Sequence, residues 1–331
     1  MRHIDVHGHI IVDEITASHG NEPWRPRIDR TPEGTFSSVG QGRRNGPHEH
    51  ECTDITGILR DMDSLRIDTM LISPPPYCLF YQLEPDEGEK ACRIQNDALA
   101  QLQRTHGDRF APLATVPMQD VPAALSELRR ATHDLGLRGV EIGSSIRGVH
   151  LGDPRFRPFW RACAEDDIMV FIHPDYFQVH SSPTLSEYYL VNFVGNPSET
   201  GLTAAHIVFS GVFQEYPDLK IVLAHAGGVM PWIMGRWSHG YGKRREAQRD
   251  LRHDPLADCK RFYVDTIAHS PAALRFLVDQ FGADHILLGS DYFFDMGPND
   301  PVGEVERLDG LTEEQRTAIL GGNATRLAGL A

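Results

Sequence analysis

The chain has 331 residues, of which 40% are apolar and 24% are charged, proportions typical of a folded protein with a substantial core. Asp and Glu outnumber Lys and Arg by 46 to 32, which gives a net charge of −14. Such a surface repels nucleic acid and anionic membranes, so neither is expected as a partner, although a few Arg side chains in a cleft could still bind a small anionic substrate.

Cysteine usage and the N-terminus bear on the cellular compartment. The five cysteines are scattered and form no C-x-x-C pair, which argues against a disulfide framework and against a thiolate zinc site. The first residues contain no apolar signal segment, and no stretch approaches the roughly 20 apolar residues of a membrane span. These features predict a cytoplasmic protein.

Short apolar or β-branched runs alternate with amphipathic, helix-like stretches along the chain. The candidate strands, eight in number, are Arg2–Val6, Thr69–Ser73, Ala111–Val116, Gly139–Ile142, Ile168–Ile172, Lys220–Ala224, Phe262–Val264 and His285–Leu288. The candidate helices are Ile55–Leu65, Gly88–Arg104, Pro122–Leu135, Pro154–Glu165, Thr200–Phe213, Met230–Gly235 with its continuation, Pro271–Phe281 and Thr312–Leu320.

This alternation predicts an α/β fold, a single (β/α)8 barrel of the TIM type, in one domain that spans residues 1–331. A doubly wound open sheet is the alternative, but it would need a Gly-rich phosphate loop, and no G-x-G-x-x-G follows the first strand. The connections after strands 1 and 5, Ile11–Thr53 and Pro174–Glu199, are long. In a barrel both lie at the C-terminal face, so residues 11–53 are interpreted as an insertion or lid over the active site.

Four of the predicted strands end in side chains that can bind a metal. The first carries His7 and His9, the fifth ends at His173, the sixth leads into His225, and the eighth leads into Asp291. Residues two apart on a strand face the same way, and a barrel directs all its strand ends to one mouth. A lone histidine at a strand end is more often structural than a ligand, but four matching ends together predict a site for Zn, Mn, Fe or Co.

The segments IDVHGHI, FIHP, LAHAGG and LLGSDY resemble those of the amidohydrolase-related family of metal-dependent decarboxylases, which includes aminocarboxymuconate-semialdehyde decarboxylase. The likeness also includes RGVEIG, GNPSET, GRWSHGY and GGNATRL, and it covers essentially the whole chain. It implies that His7, His9, His173 and Asp291 hold one divalent metal ion, with Zn²⁺ the first candidate and Mn²⁺ the second. It also implies that His225 is the general acid/base.

The number of metal ions depends on the end of the fourth strand. Two-metal amidohydrolases have a bridging carboxylated lysine there, whereas this chain has the sequence VEIG. Glu141 could bridge two ions in principle, but an acid within a strand is better interpreted as the acceptor of a structural hydrogen bond. One metal ion is therefore predicted.

The resemblance implies non-oxidative decarboxylation of a small aromatic or unsaturated carboxylic acid. A hydrolase or hydratase, acting on a lactone, an amide or an activated double bond at the same metal, is the alternative, since both reactions would use His225 to carry the proton. A metal-binding protein without enzymatic activity is a third possibility.

Several residues are candidates for substrate binding. Arg236, in GRWSHG, matches a family arginine that reaches the neighbouring subunit's active site, which implies a homodimer. Arg43 and Arg44 lie close to the place of a second carboxylate-binding arginine of the family, and Asn192 stands where the family has an active-site tryptophan. The two histidines of PHEHEC, in the insertion, are interpreted as lid residues.

Overall fold

The computed structural model describes residues 2–39 and 44–330 of the chain. The strands are β1 (Ile4–His9), β2 (Pro26–Thr31), β3 (Gly34–Val39), β4 (Arg44–His48), β5 (Thr69–Ser73), β6 (Val140–Gly143), β7 (Ser145–Ile146), β8 (Val149–His150), β9 (Met169–His173), β10 (Lys220–Leu223), β11 (Tyr263–Asp265) and β12 (Ile286–Leu287). The helices are α1 (Ile55–Ser64), α2 (Pro85–His106), α3 (Val121–Arg129), α4 (Arg157–Glu165), α5 (Tyr176–His180), α6 (Asn196–Phe209), α7 (Val212–Glu215), α8 (Met230–Tyr241), α9 (Pro255–Cys259), α10 (Pro271–Phe281), α11 (Pro301–Glu306), α12 (Glu313–Thr317) and α13 (Asn323–Leu327).

Parallel pairing organises the strands that alternate with helices, as predicted for an α/β protein. One sheet has the order β12-β11-β10-β9-β6, and β1 pairs in parallel with β5. The stretch that follows α2 bridges β5 at Phe110 and β6 at Ala114. The last and first strands also come together. The Val6 N–H of β1 donates to the Leu288 carbonyl (2.9 Å), so the segment after β12 borders β1.

The predicted strand Ala111–Val116 is not a continuous strand in the structure, and this prediction was wrong in that respect. The segment lies where a strand would lie, because the N–H groups of Ala111 and Leu113 donate to β5 and that of Ala114 donates to the Gly139 carbonyl beside β6. Pro112, however, has no N–H to donate to the β6 side. The ladder is therefore interrupted, and isolated bridges remain.

Alternate residues of the parallel strands belong to two separate apolar clusters. In β9, Val170 and Ile172 pack into the large cluster that includes the helices, whereas Met169 and Phe171 belong to a smaller cluster. The smaller cluster also contains residues from other parallel strands, among them Val6 of β1 and Val222 of β10. Each strand is thus buried on both faces, which is typical of parallel sheets covered by helices.

The helix α10 illustrates why the predicted helices form where they do. Its predicted bounds, Pro271–Phe281, are confirmed, because Ser270 caps its N-terminus by accepting the Ala273 N–H and Gly282 follows its end with a φ of 84°. Its buried residues, with helical spacing, are Leu274, Leu277, Val278 and Phe281. Within residues 2–39 and 44–330, no helix is both long and apolar enough to cross a bilayer.

The insertion after β1 contains a three-stranded antiparallel sheet with the order β2-β3-β4, which the sequence analysis did not predict. Its residues are mostly polar and partly exposed, so they lack the alternating apolar pattern of a half-buried strand. The second long connection, after β9, contains α5 and a π-helical turn, Val191–Gly195, that leads into α6.

Candidate metal centre and active site

The strand ends bring the five predicted residues together. Asp291 Oδ1 lies 3.3 Å from His7 Nε2 and 3.5 Å from His9 Nε2, while Asp291 Oδ2 lies 3.5 Å from His225 Nε2. The ring of His173 is 5.3 Å from those of His7 and His9, and 5.1 Å from that of His225, between centroids. Possible ligand atoms of His7, His173, His225 and Asp291 all lie within 4.8 Å of one another.

Several polar atoms of this cluster have no hydrogen-bond partner among the described residues. They are buried, and they include His7 Nε2, both ring nitrogens of His9, His225 Nδ1 and Asp291 Oδ1. A buried polar atom without a partner costs about 1–3 kcal/mol, so several in one place need a common explanation. A cation bonded to His7 Nε2, His9 Nε2 and Asp291 Oδ1 would satisfy these three atoms, and imidazole with carboxylate is a donor set suited to a divalent transition metal or zinc. The residues therefore fit a metal ion.

Two of the rings are oriented by hydrogen bonds on their other side. His7 Nδ1 lies 2.8 Å from Asp265 Oδ2, and His173 Nδ1 lies 3.0 Å from the Pro174 carbonyl oxygen. Because a carboxylate and a carbonyl only accept, each Nδ1 carries the proton and each Nε2 keeps a free lone pair directed at the cluster. Burial lowers the pKa of His7 and of His173, which favours the neutral ring that a metal ligand requires.

Asp265 is a functional residue that the sequence reasoning missed. It is the last residue of β11, and besides contacting His7 it accepts the N–H groups of His225 (2.9 Å) and Ala226 (2.7 Å). Its position could have identified it, because the other site residues were found at the C-terminal ends of predicted strands. Asp265 is likewise the first acidic residue after the apolar run of the seventh predicted strand.

The turn after β10 places His225 over the cluster. His225 and Ala226 both have positive φ values, 54° and 58°, and Asp265 holds them through their backbone N–H groups. Gly228, with a φ of 60°, passes so close to the Pro197 carbonyl that a Cβ atom would collide with it. The Gly-rich LAHAGG segment thus serves a tight turn that positions the His225 imidazole.

The cluster contains one imidazole whose electrostatics differ from the others. Burial opposes protonation of His225, but its contact with Asp291, together with the more distant Asp265 and Glu141, outweighs burial and raises the pKa of His225 above its ordinary value. Burial alone would raise the pKa of Asp291, but the adjacent rings of His7, His225 and His9 hold it well below its usual range. His225 is therefore the histidine of this cluster best suited to carry a proton.

Glu141 lies beside the cluster and is fully buried. It accepts a hydrogen bond from the Ser73 hydroxyl, as expected for a structural acid, and its Oε2 lies 3.9 Å from His9 Nδ1. Burial raises the pKa of Glu141 to about 7. The bond to Ser73 agrees with the interpretation that Glu141 supports the strands rather than bridging two ions.

A cavity of about 360 Å³ opens onto His173, His225 and Asp291. Its walls come from the insertion, the loop after β5, the connection after β9 and the loop after β12. The lining residues include Arg44, Asn45, His48, Tyr77, Tyr176, Asn192, Phe294 and Asp295. The walls are mainly aromatic and polar, which suits a small ring-containing ligand.

The structure brings only some of the predicted substrate-binding residues to this cavity. Arg44 and Asn192 line it, although Arg44 is exposed and its guanidinium carbon lies 3.5 Å from the centre of the Phe36 ring. Arg43 lies outside the described residues. Arg236 is exposed on α8 and does not line the cavity of its own chain.

Comparisons with known proteins agree with this geometry. The profile of the amidohydrolase family matches residues 4–330. The 2-amino-3-carboxymuconate-6-semialdehyde decarboxylase of Dictyostelium discoideum is 30% identical, over 99% of this chain and 91% of that protein. The crystal structure of 5-carboxyvanillate decarboxylase from Sphingomonas paucimobilis has a TM-score of 0.81 and 25% identity, with 100% and 99% of the two chains covered.

A dihydroxybenzoic acid decarboxylase from Polaromonas sp. JS666, solved with bound manganese and the inhibitor 2-nitroresorcinol, also has a TM-score of 0.81. It is 22% identical, and the comparison covers 99% of this chain and 97% of that one. Since the family profile spans nearly the whole chain and a 30% identical relative aligns over almost its full length, this protein belongs to the amidohydrolase family.

Proposed function

We propose that this protein is a metal-dependent, non-oxidative decarboxylase of small aromatic carboxylic acids. The observation that carries the proposal is the cluster of four imidazoles and one carboxylate, all buried except the partly exposed His225, at the end of an aromatic cavity. Several of its ligand atoms have no hydrogen-bond partner among the described residues. Relatives named as decarboxylases align over most of the chain, which supports the same reaction here.

The scaffold of this site is, in our proposal, a single (β/α)8 barrel that comprises the whole chain. Parallel contacts run in succession from β1 through β5, the Phe110–Ala114 stretch and the five-stranded sheet, and return to β1 at Gly8 and Tyr292. The smaller apolar cluster, built from alternate strand residues, would fill the barrel interior, and the larger one would join the strands to the helices.

One divalent ion would be held by His7, His9, His173 and Asp291. The free Nε2 lone pairs that Asp265 and the Pro174 carbonyl impose on two of these rings support the assignment. Zn²⁺ and Mn²⁺ both accept imidazole and carboxylate ligands, and the manganese bound to the Polaromonas relative makes Mn²⁺ as strong a candidate as Zn²⁺. When bound, the ion would offset the charge of a substrate carboxylate and polarise its oxygens.

His225 would supply the proton that the reaction requires. During decarboxylation the bond between the ring carbon and the carboxylate breaks, carbon dioxide leaves, and the electron pair remains on the ring carbon. A proton from the His225 imidazole then replaces the lost carboxylate, and His225 is protonated again from solvent. Its position against Asp291 and at the cavity floor supports this role.

Arg44 and Asn192 would contact a ligand in the cavity, which is supported by the fact that both line it, Arg44 at its rim and Asn192 in the connection after β9. We propose that Arg236, which is exposed on α8, serves the active site of a neighbouring subunit in a homodimer. Arg43, just before β4, is proposed as an alternative carboxylate-binding residue. A cytoplasmic location is supported by the five cysteines, all of which are free and buried.

The test is the release of carbon dioxide by the metal-loaded protein. We would incubate it with benzoates that carry hydroxyl, alkoxy or carboxyl substituents, without organic cofactor, and measure both carbon dioxide and the residual aromatic product. Equimolar release of the two is the expected result. Incorporation of ¹⁸O from labelled water into a product, without carbon dioxide, would instead indicate the hydrolase or hydratase alternative.

A further inference from the structure

The cavity wall also contains a chain of hydrogen bonds that the proposed reaction does not use. His48 Nε2 lies 2.9 Å from Ser37 Oγ, and Ser37 Oγ lies 2.7 Å from the Tyr77 hydroxyl oxygen. Ser37 and Tyr77 are fully buried, whereas His48 is partly buried and lines the cavity. We call these three residues the His48 relay.

The direction of the His48 relay follows from its buried end. Within the described part of the chain, Ser37 is the hydrogen-bond partner of the Tyr77 hydroxyl. A buried phenol whose proton has no acceptor is costly, so Tyr77 donates to Ser37 Oγ. Ser37 has a single proton, which then goes to His48 Nε2. The remaining ring nitrogen of His48, Nδ1, must carry the imidazole proton.

His48 therefore presents a neutral N–H donor rather than an acceptor or a cation. Burial lowers the pKa of His48 to about 4, so the ring is uncharged at neutral pH. Nδ1 makes no hydrogen bond with any residue in 2–39 or 44–330, which leaves it available to a molecule in the cavity.

Aromatic residues connect this donor with the metal cluster. The ring of Phe294 is 5.4 Å from that of His9 and 6.2 Å from that of His48, between centroids, and Phe293 packs against His48 at 4.8 Å. Phe294 lines the cavity, so one aromatic side chain spans the gap between the two groups. A planar ring lying along Phe294, with its carboxylate at the cluster, has its opposite edge directed at His48.

We propose that His48 is a specificity-determining residue that donates its Nδ1–H to an oxygen acceptor on the substrate ring, remote from the carboxylate that is lost. The oxygen belongs to a phenolic, alkoxy or carbonyl group. Ser37 and Tyr77 are positioning residues, because they set the tautomer of His48. This proposal rests on the proposed function in that the ligand is an aromatic acid bound with its carboxylate at the metal.

The first test is the tautomer of His48 in the metal-loaded protein, measured by the ¹⁵N chemical shifts of its ring and assigned by comparison with His48→Phe. We expect a protonated Nδ1 and an unprotonated Nε2. Ser37→Ala should yield a mixture of the two tautomers. Ser38→Ala is the matched control, because Ser38 is the next residue of β3 and its side chain points to the opposite face. A protonated Nε2 in the unaltered protein would overturn the proposal.

The second test measures recognition without requiring turnover. Calorimetric titration would compare 3-methoxybenzoate with 3-ethylbenzoate, and the 4-substituted pair in the same way, since methoxy and ethyl are similar in size but only methoxy accepts a hydrogen bond. In one of the pairs, the methoxy compound should bind roughly threefold to tenfold more tightly, as expected for one neutral hydrogen bond. The preference should disappear in His48→Phe and persist in Ser38→Ala.

Equal affinities within both pairs, no binding of any of the four compounds, or a preference that survives in His48→Phe would each overturn the proposal. The binding measurements test the role of His48 independently of the proposed decarboxylation. A methoxy preference without carbon dioxide release would retain the role of His48 and refute the reaction, whereas carbon dioxide release without any such preference would do the reverse.

Discussion

The two regions that form the cavity, the parallel strand ends and the insertion, differ in how their side chains are held. All four proposed metal ligands are almost completely buried: His7, His9 and His173 lie on parallel strands, and Asp291 lies in the loop after β12. The β2-β3-β4 sheet of the insertion is more exposed, and its contacts with the rest of the protein include side-chain hydrogen bonds, such as that of the Tyr176 hydroxyl to Asn45 Oδ1 (2.9 Å).

The contrast indicates a division of roles. A metal site and a proton donor need positions fixed to a fraction of an ångström, which packed strands provide. Recognition of a particular substrate ring needs less positional precision, and side chains of a polar insertion at the cavity wall can provide it. Changes at the strand ends should therefore alter metal binding or turnover by orders of magnitude, and changes where the insertion is attached should alter binding or stability only modestly.

The largest effect is expected for Asp291→Ala. This change removes the carboxylate whose Oδ1 faces both His7 and His9, so bound metal should fall well below one ion per chain by elemental analysis. Turnover should fall roughly a thousandfold or more, since the cation contributes several kcal/mol to catalysis. Asp295→Ala, which changes an acid of the cavity wall outside the cluster, is the control and should keep its metal. Full metal occupancy in Asp291→Ala would contradict the ligand assignment.

His225→Asn should separate catalysis from metal binding. The variant keeps a polar group of similar shape, so metal content should stay near that of the unaltered protein, while kcat falls by about 10²–10⁴-fold with loss of the proton donor. His180→Asn changes another histidine of the cavity wall and should leave kcat within a small factor. An unaltered rate in His225→Asn would remove its acid/base role.

Asp265→Asn should weaken metal binding without removing a ligand. The amide can no longer accept with both oxygens, so it loses part of the support it gives to His7 Nδ1 and to the backbone of His225. Loss of such a partner typically costs about 10–100-fold in metal affinity, measured here by competition with a chelator. Asp258→Asn changes a buried acid of α9 outside the cluster, and its affinity should not change. Equal affinity in the two variants would refute the role of Asp265.

How much was predictable from sequence differs between the same two regions. The residues at the strand ends were predicted from apolar runs with polar residues at their C-terminal ends. The strand Thr69–Ser73 and the helix Pro271–Phe281 were predicted with the bounds that the structure shows. Asp265 was missed although the same rule applied, and Pro112 broke a strand that composition alone favoured. In the insertion no apolar periodicity indicated β2–β4, because the residues of these strands are mostly polar and partly exposed.

The smallest effect is expected where the insertion joins the loop after β12. The Tyr292 hydroxyl donates to the Glu51 carbonyl (2.7 Å) and contacts Asp61 Oδ2 (2.9 Å), and the Tyr292 ring stacks on His50 at 5.3 Å. Tyr292→Phe keeps the stacked ring and removes the hydroxyl, so unfolding of the metal-loaded protein in denaturant should show a loss of about 1 kcal/mol. Tyr188→Phe changes an exposed tyrosine and should be neutral. Because Tyr292 follows Asp291 directly, metal content in both variants must stay at the level of the unaltered protein. A marked loss of metal in Tyr292→Phe would mean that the insertion also positions the ligands, and the division between the two regions would fail.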